Sequence, residues 1–223
     1  MDFLATFFDN YGMLLAQGTW DTLLMTIVST FFAYVIGIPL GVLCVLTSPK
    51  GLMPHRIFNM VLGWIINIGR SIPFIILLVA LIPFTRFIVG TSLGVPGAIV
   101  PLVISAAPFI ARMVEQSIEE VDGGLVEAAQ SFGANTWQIV YKVFLREALP
   151  SLVRGFAIVF ITILGYSAMA GCVGAGGLGD IAIRYGYQRY QDDVMIATVI
   201  ILIVIVEIGK GACKYVNRQI DKY

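Results

Sequence analysis

The sequence has 223 residues, of which 58% are hydrophobic and only 13% charged, with a mean hydropathy of +0.90. Soluble domains carry about 25% charged residues, so this is the composition of a membrane protein. Fourteen basic residues balance fourteen acidic ones, which excludes the basic surplus of a nucleic-acid-binding chain. Three dispersed cysteines (Cys44, Cys172 and Cys213) and one histidine, His55, leave neither a disulfide framework nor a metal-ligand spacing.

In chain order, residues 1–18 begin MDFLATFFDNYG, with an acidic start and no small-residue cleavage site, so they do not read as a signal peptide. Two readings stand for them: a short amphipathic segment at the membrane interface on the extracytoplasmic side, or a disordered tail. A helix needs about 20 apolar residues to cross the hydrocarbon core. The first span is the charge-free run between Asp21 and Lys50, and the second covers about Ile57–Thr85 with Arg70 inside it. The third lies between Arg86 and Arg112, the fourth between Arg154 and Asp180, and the fifth runs from about Val194 to Gly209.

Five spans place the termini on opposite sides. With the N-terminus outside, the cytoplasmic segments hold Lys50, Arg56, Arg112, Lys142, Arg146, Arg154, Lys210, Lys214, Arg218 and Lys222, whereas the outer segments hold only Arg86, Arg184 and Arg189. Ten against three fits the positive-inside rule. The C-terminal tail, residues 211–223, is then cytoplasmic, as is the long connection between spans three and four.

That connection, about residues 115–150, is far longer than a bundle needs. Glu115–Gln130 reads as a helix, Gly133 as its left-handed terminator, and Asn135 with Gln138 as a capping box that starts a second helix at Thr136. The second helix puts Trp137, Val140, Tyr141 and Phe144 on one side and stops at Pro150. Small residues, Ala128 and Ala129, lie beside the Glu127 carboxylate. An exposed aromatic face next to small side chains suits contact with another protein. A helix pair lying on lipid headgroups is the equally open alternative.

Arg70 is either at a water-accessible end of a path through the membrane or at a contact between two copies, or it snorkels to the headgroups at the start of a shorter span beginning at Ile72. Gly174–Gly179 matches GxGxxG but follows a membrane span, not a strand, so the dinucleotide reading fails. The glycines instead allow a tight turn at the outer face. The polar, tyrosine-rich segment after them reads as a landing surface for an external protein or as an interfacial aromatic belt. Ser167 has no GxSxG elbow, and the sequence has no Walker A motif. A catalytic role is therefore not expected, and the chain is not expected to bind a cofactor. Internal repeats and intramembrane ionisable pairs, the marks of a secondary transporter, are also missing from the sequence.

Glu127-Ala128-Ala129, three residues, then Gly133 resembles the EAA signature of permease subunits of ATP-binding-cassette importers. After nine more residues Val143 and Leu145 stay in register, Arg146 stands where that family has proline, and a Leu149-Pro150 pair follows. The stretches RSIPFIILLVALIPFTRFIVGTSLG, APFIARMVE and GYSAMAGCVGAGGLG are similar to the methionine-importer subgroup. The resemblance covers residues 19 to 209. It implies an all-α polytopic fold of five transmembrane helices in residues 19–210, with a coupling helix-turn-helix between spans three and four. It further implies a homodimer in a bacterial inner membrane, working with two cytoplasmic ATP-binding subunits that use ATP-Mg and with an external methionine-binding lipoprotein. The coupling residues would be Glu127, Ala128, Ala129, Gly133 and Trp137. Tyr166, Ser167, Met169 and Arg70 would be candidates for the translocation path, with Met169 as a gate in that reading and a packing residue in the other.

Overall fold

The computed structural model describes residues 2–220, with side chains from Thr6 to Gln219. Met1 and residues 221–223, including Lys222, lie outside the described residues. All regular structure among the described residues is helical: α1 (Asp2–Thr47), α2 (Arg56–Ser71), α3 (Phe74–Ala80), α4 (Ile82–Val89), α5 (Gly94–Glu119), α6 (Gly123–Ser131), α7 (Thr136–Ile139), α8 (Leu145–Glu147), α9 (Leu149–Gly171), α10 (Gly177–Ile181) and α11 (Asp192–Ile220). Two π-helical segments, Val140–Phe144 and Ala182–Tyr187, extend α7 and α10. Four stretches are long and apolar enough to cross a membrane: Thr6–Thr47, Gly94–Glu119, Leu149–Gly171 and Asp192–Gln219. A fifth crossing comes from α2 and α3 taken together, which are bent by 103° at their break.

Three of the predicted boundaries move. The second span is not one helix over Ile57–Thr85: Ile72 is extended (φ −83°, ψ 123°) because it precedes Pro73, whose ring disfavours the helical conformation one residue upstream. The first helix does not begin near Asp21. Residues 2–18 continue it as helix without a break, so they are not a disordered tail. Likewise α11 continues past Gly209 to Ile220, so residues 211–220 are helix continuous with the span.

The chain divides into two compact units. The first comprises Met1–Phe31, Pro73–Val103 and Phe160–Gly211. Its core explains why the N-terminal segment is helical: Leu15 is buried with Leu164, Leu178, Ile181, Val194 and Ile205, and Phe7, Tyr11 and Leu14 pack against them. Tyr11 meets Tyr185 edge-on, ring centroids 6.4 Å apart. Thr22, Thr26 and Thr30 are buried in this apolar setting. The Thr26 and Thr30 hydroxyls donate to the carbonyls of Thr22 and Thr26, both at 2.7 Å, so helix α1 itself satisfies these two buried hydroxyls. The Thr22 hydroxyl instead accepts the Leu178 backbone N–H at 2.8 Å and ties the glycine-rich turn to α1.

The second unit comprises Phe32–Ile72, Ile104–Val159 and Ala212–Tyr223. Here Gly37 and Gly41 let α1 and α5 touch. A Cβ on Gly37 would sit 2.6 Å from Ile110 Cγ2, and one on Gly41 would sit 2.5 Å from the Ala111 carbonyl oxygen. Lipid tails are as apolar as side chains, so contact between membrane helices depends on such close packing more than on escape from water. Asn59 closes the unit at the end of α1, donating to the Cys44 carbonyl at 2.7 Å and the Thr47 hydroxyl at 3.2 Å.

Candidate functional site

The segment between α5 and α9 builds its shape from short-range bonds. Asp122 caps α6 by accepting the Gly124 N–H at 2.8 Å. At the other end Gly133 N–H donates to the Gln130 carbonyl at 2.9 Å, and Ala134 N–H donates to the Ala129 carbonyl at 3.0 Å. These two bonds form a Schellman motif, which requires a left-handed residue, and Gly133 supplies it at φ +78°. Asn135 and Gln138 then make the predicted capping box, each side chain accepting the other's backbone N–H at 2.9 Å. The two helices are thus capped at both sides of a two-residue turn.

What the hairpin presents is apolar and aromatic. Phe132 is 91% exposed, Trp137 72% and Tyr141 76%. Glu127 and Ala128 are exposed beside them, and Ala129 is half-buried. The predicted single face of Trp137, Val140, Tyr141 and Phe144 splits in two. Trp137 and Tyr141 form an exposed row, whereas Val140 and Phe144 are buried together with Ile139. Two further expectations change. Glu115–Gln130 is not one helix, because α5 ends at Glu119 and Asp122 starts a new one. Pro150 does not stop the second helix: it lies in the first turn of α9, where its missing N–H costs nothing. The π-helical segment Val140–Phe144 and α8 carry the chain from α7 into α9 with only Ala148 between helices.

The glycine-rich turn after α9 is equally tight. Gly174, Gly176 and Gly177 have φ of +93°, +81° and +77°. A side chain on Gly177 would meet the Thr22 hydroxyl at 2.7 Å, and one on Gly179 would meet the Ala168 backbone. Beyond it Tyr187 and Tyr190 are 69% and 86% exposed, and the Arg189 guanidinium lies 4.5 Å from the centre of the Tyr185 ring.

The model of the binding-protein-dependent transport system inner membrane component matches residues 37–222. The chain belongs to this family. It is 48% identical over 218 residues to the probable D-methionine transport system permease protein MetI of Vibrio cholerae serotype O1, covering 98% of this chain and 97% of that protein. It is 56% identical over 158 residues to the D-methionine transport system permease protein MetI of Escherichia coli K12, covering 71% of this chain and 73% of that one. Among solved structures, a chain of the MetNI methionine ABC transporter in an inward-facing conformation matches with a TM-score of 0.93 at 50% identity, over 95% of this chain and 98% of that one. An amino acid ABC transporter solved with histidines matches at 21% identity with a TM-score of 0.78, a likeness of fold alone.

In this inner membrane component three of the four path candidates belong to the first unit and Arg70 to the second. Tyr166 is half-buried and stacks on Phe74, ring centroids 4.6 Å apart and planes within 3°. Ser167 is buried, and its hydroxyl donates to the Leu164 carbonyl of its own helix at 2.7 Å. Met169 is 48% exposed on the same helix. Arg70 stands elsewhere, in the last turn of α2, where it shares a cavity with Arg112 and Arg154. In the sequence those two read only as inside-positive charges. Their convergence with Arg70 depends on three helices meeting, although Arg112, Gln116 and Glu120 at steps of four already mark one polar stripe on and just beyond α5.

Proposed function

We propose that this chain is the membrane permease subunit of an ATP-driven methionine importer of the bacterial inner membrane. The observation that carries the coupling role is the hairpin of α6 and α7. It has a Schellman turn at Gly133, a capping box at Asn135 and an exposed row of Phe132, Trp137 and Tyr141 beside Glu127 and Ala128. Large aromatic side chains left in water are costly unless a partner covers them, and aromatic residues anchor protein contacts out of proportion to their number. A cytoplasmic ATPase subunit that uses ATP-Mg is that partner in this reading. The names of the relatives supply methionine as the cargo, delivered by an external binding protein.

Two copies of the chain form the path, and two ATPase subunits drive it. ATP binding draws the ATPases together and the paired hairpins with them, which opens the path outward; hydrolysis and separation reopen it inward. The Glu127 to Trp137 segment is the lever, and Met169 is the candidate gate on α9. The N-terminus is extracytoplasmic and the C-terminus cytoplasmic, as the positive charges indicate.

The test is uptake of labelled methionine into proteoliposomes holding this chain, its ATPase and its binding protein. Accumulation that requires ATP supports the reading. ATP hydrolysis without methionine uptake keeps the permease and removes the substrate. Failure of any ATPase to co-purify removes the coupling role of the hairpin.

A further inference from the structure

Wholly within the second unit, residues of α2, α5 and α9 line an open cavity of about 290 Å³. That is close to the lower end of the ~300–1,000 Å³ typical of small-molecule pockets. Its wall carries three arginines from three helices. Arg112 is already engaged: its Nη1 meets Glu115 Oε2 at 2.6 Å, and its Nη2 donates to Asn67 Oδ1 at 3.1 Å. Arg70 and Arg154 have no carboxylate within ion-pair distance among the described residues, and Glu120, which lines the same cavity, has no basic group within that distance. Two uncommitted guanidinium groups and one uncommitted carboxylate therefore face a space the size of one small molecule.

The lining is ordered along the cavity. The Ser117 and Ser151 hydroxyls meet at 3.0 Å and set α5 and α9 at a common level. From there α9 runs from Ser151 through Arg154 to Ile158, while α5 read backwards runs from Ser117 through Arg112 to Phe109. Both helices thus pass from hydroxyl to guanidinium to apolar side chain in the same direction, with Glu120 at the hydroxyl end. Met113 fills the space beside Gly155, where any side chain would strike its sulfur, so the apolar end has a close-fitting wall.

We propose that this cavity binds a free α-amino acid with an apolar side chain: its carboxylate between Arg70 and Arg154, its ammonium toward Glu120, its side chain against Phe109, Met113 and Ile158. The proposal rests on the reading of the chain as an amino-acid permease, and it locates a holding site for the cargo on the cytoplasmic side before release. Guanidinium forks suit a carboxylate bidentately. A phosphate, free or on a lipid headgroup, would find the same arginines, but Glu120 would repel it. The opposite charges together select a zwitterion.

The test is equilibrium binding of labelled methionine to the permease–ATPase complex in detergent without binding protein. Methioninol, which lacks the carboxylate, 4-(methylthio)butanoate, which lacks the ammonium, and inorganic phosphate serve as competitors. The wild-type complex is expected to favour methionine over all three. Arg154→Ala is expected to weaken methionine binding at least about tenfold, the loss of one charge-assisted bond, and to reduce the preference over methioninol by the same factor. Glu120→Gln is expected to remove only the preference over 4-(methylthio)butanoate. These changes of preference are not produced by general misfolding, and Arg154→Lys should restore part of the binding. Three results would overturn the site: no methionine binding without the binding protein, unchanged preferences in both variants, or phosphate competing as well as methionine. Methionine uptake by the complete system with no such binding overturns the cavity alone, whereas absent uptake overturns the parent reading.

Discussion

Gly133 takes φ +78°, and no atom lies within 4 Å of the place a Cβ would occupy. The cost of substitution there is therefore backbone strain and nothing else. Left-handed geometry costs an L-residue about 1–2 kcal/mol, least for asparagine and most for β-branched side chains. Co-purification of the ATPase is expected to fall in the order Gly, Gly133→Asn, Gly133→Ala, Gly133→Val, without loss of membrane insertion. Equal recovery across that series would separate the turn from coupling. The same residue shows what a sequence makes legible. Gly133, Asn135 and Gln138 act within a few positions of one another, so spacing alone revealed the turn and the box. Arg154 acts with Arg70, and nothing within either local stretch marks the other as its neighbour.

At the scale of elements, the α1–α5 contact depends on two glycines one turn apart. Gly41 opposes the Ala111 carbonyl oxygen, a backbone atom that cannot rotate away. Gly41→Leu is expected to destabilise the permease by about 1–3 kcal/mol or more, the usual cost of overpacking, read as a lower unfolding temperature in detergent. Gly12→Leu, where the nearest side-chain atom is 3.7 Å from a Cβ, is the matched control and should change it little. As a sequence signal Gly37-xxx-Gly41 was weak, because glycine is common in membrane helices for several reasons. The extended first helix was hidden for a related reason. Asp9, Asn10 and Asp21 interrupt the hydropathy of residues 2–21, and only the packing of Phe7, Tyr11 and Leu15 onto residues far along the chain holds that stretch helical. The break at Ile72–Pro73 was written in the sequence, but an apolar run continuing across it masked the change of direction.

For the whole molecule, orientation is the property that most needs its own measurement. Cys172 is exposed just after α9, whereas Cys44 is buried and Cys213 half-buried in the other unit. With the N-terminus outside, a membrane-impermeant maleimide added to intact right-side-out vesicles should label Cys172 alone, and Cys172→Ser should abolish the signal. Labelling only after the vesicles are opened would invert the topology. Family membership and the five-crossing plan were legible because charge-free runs and the EAA pattern are local. The cavity and the close helix contacts were not, since they exist only when distant segments meet.

Helix α1 has 46 residues, a length of about 69 Å at ~1.5 Å per residue, more than twice the ~30 Å of a hydrocarbon core. Its ends therefore cannot register its depth. The charges at Asp21 and Lys50 bracket the part that lipid can cover, and the helical residues 22–47 between them, about 39 Å at ~1.5 Å per residue, exceed the ~30 Å hydrocarbon core. A span with slack of this kind can tilt or slide as acyl chains lengthen or shorten, at a modest cost. Helix α1 therefore tolerates a change of bilayer thickness without drawing charge into lipid, whereas α2 and α3, with 16 and 7 residues, have no such slack.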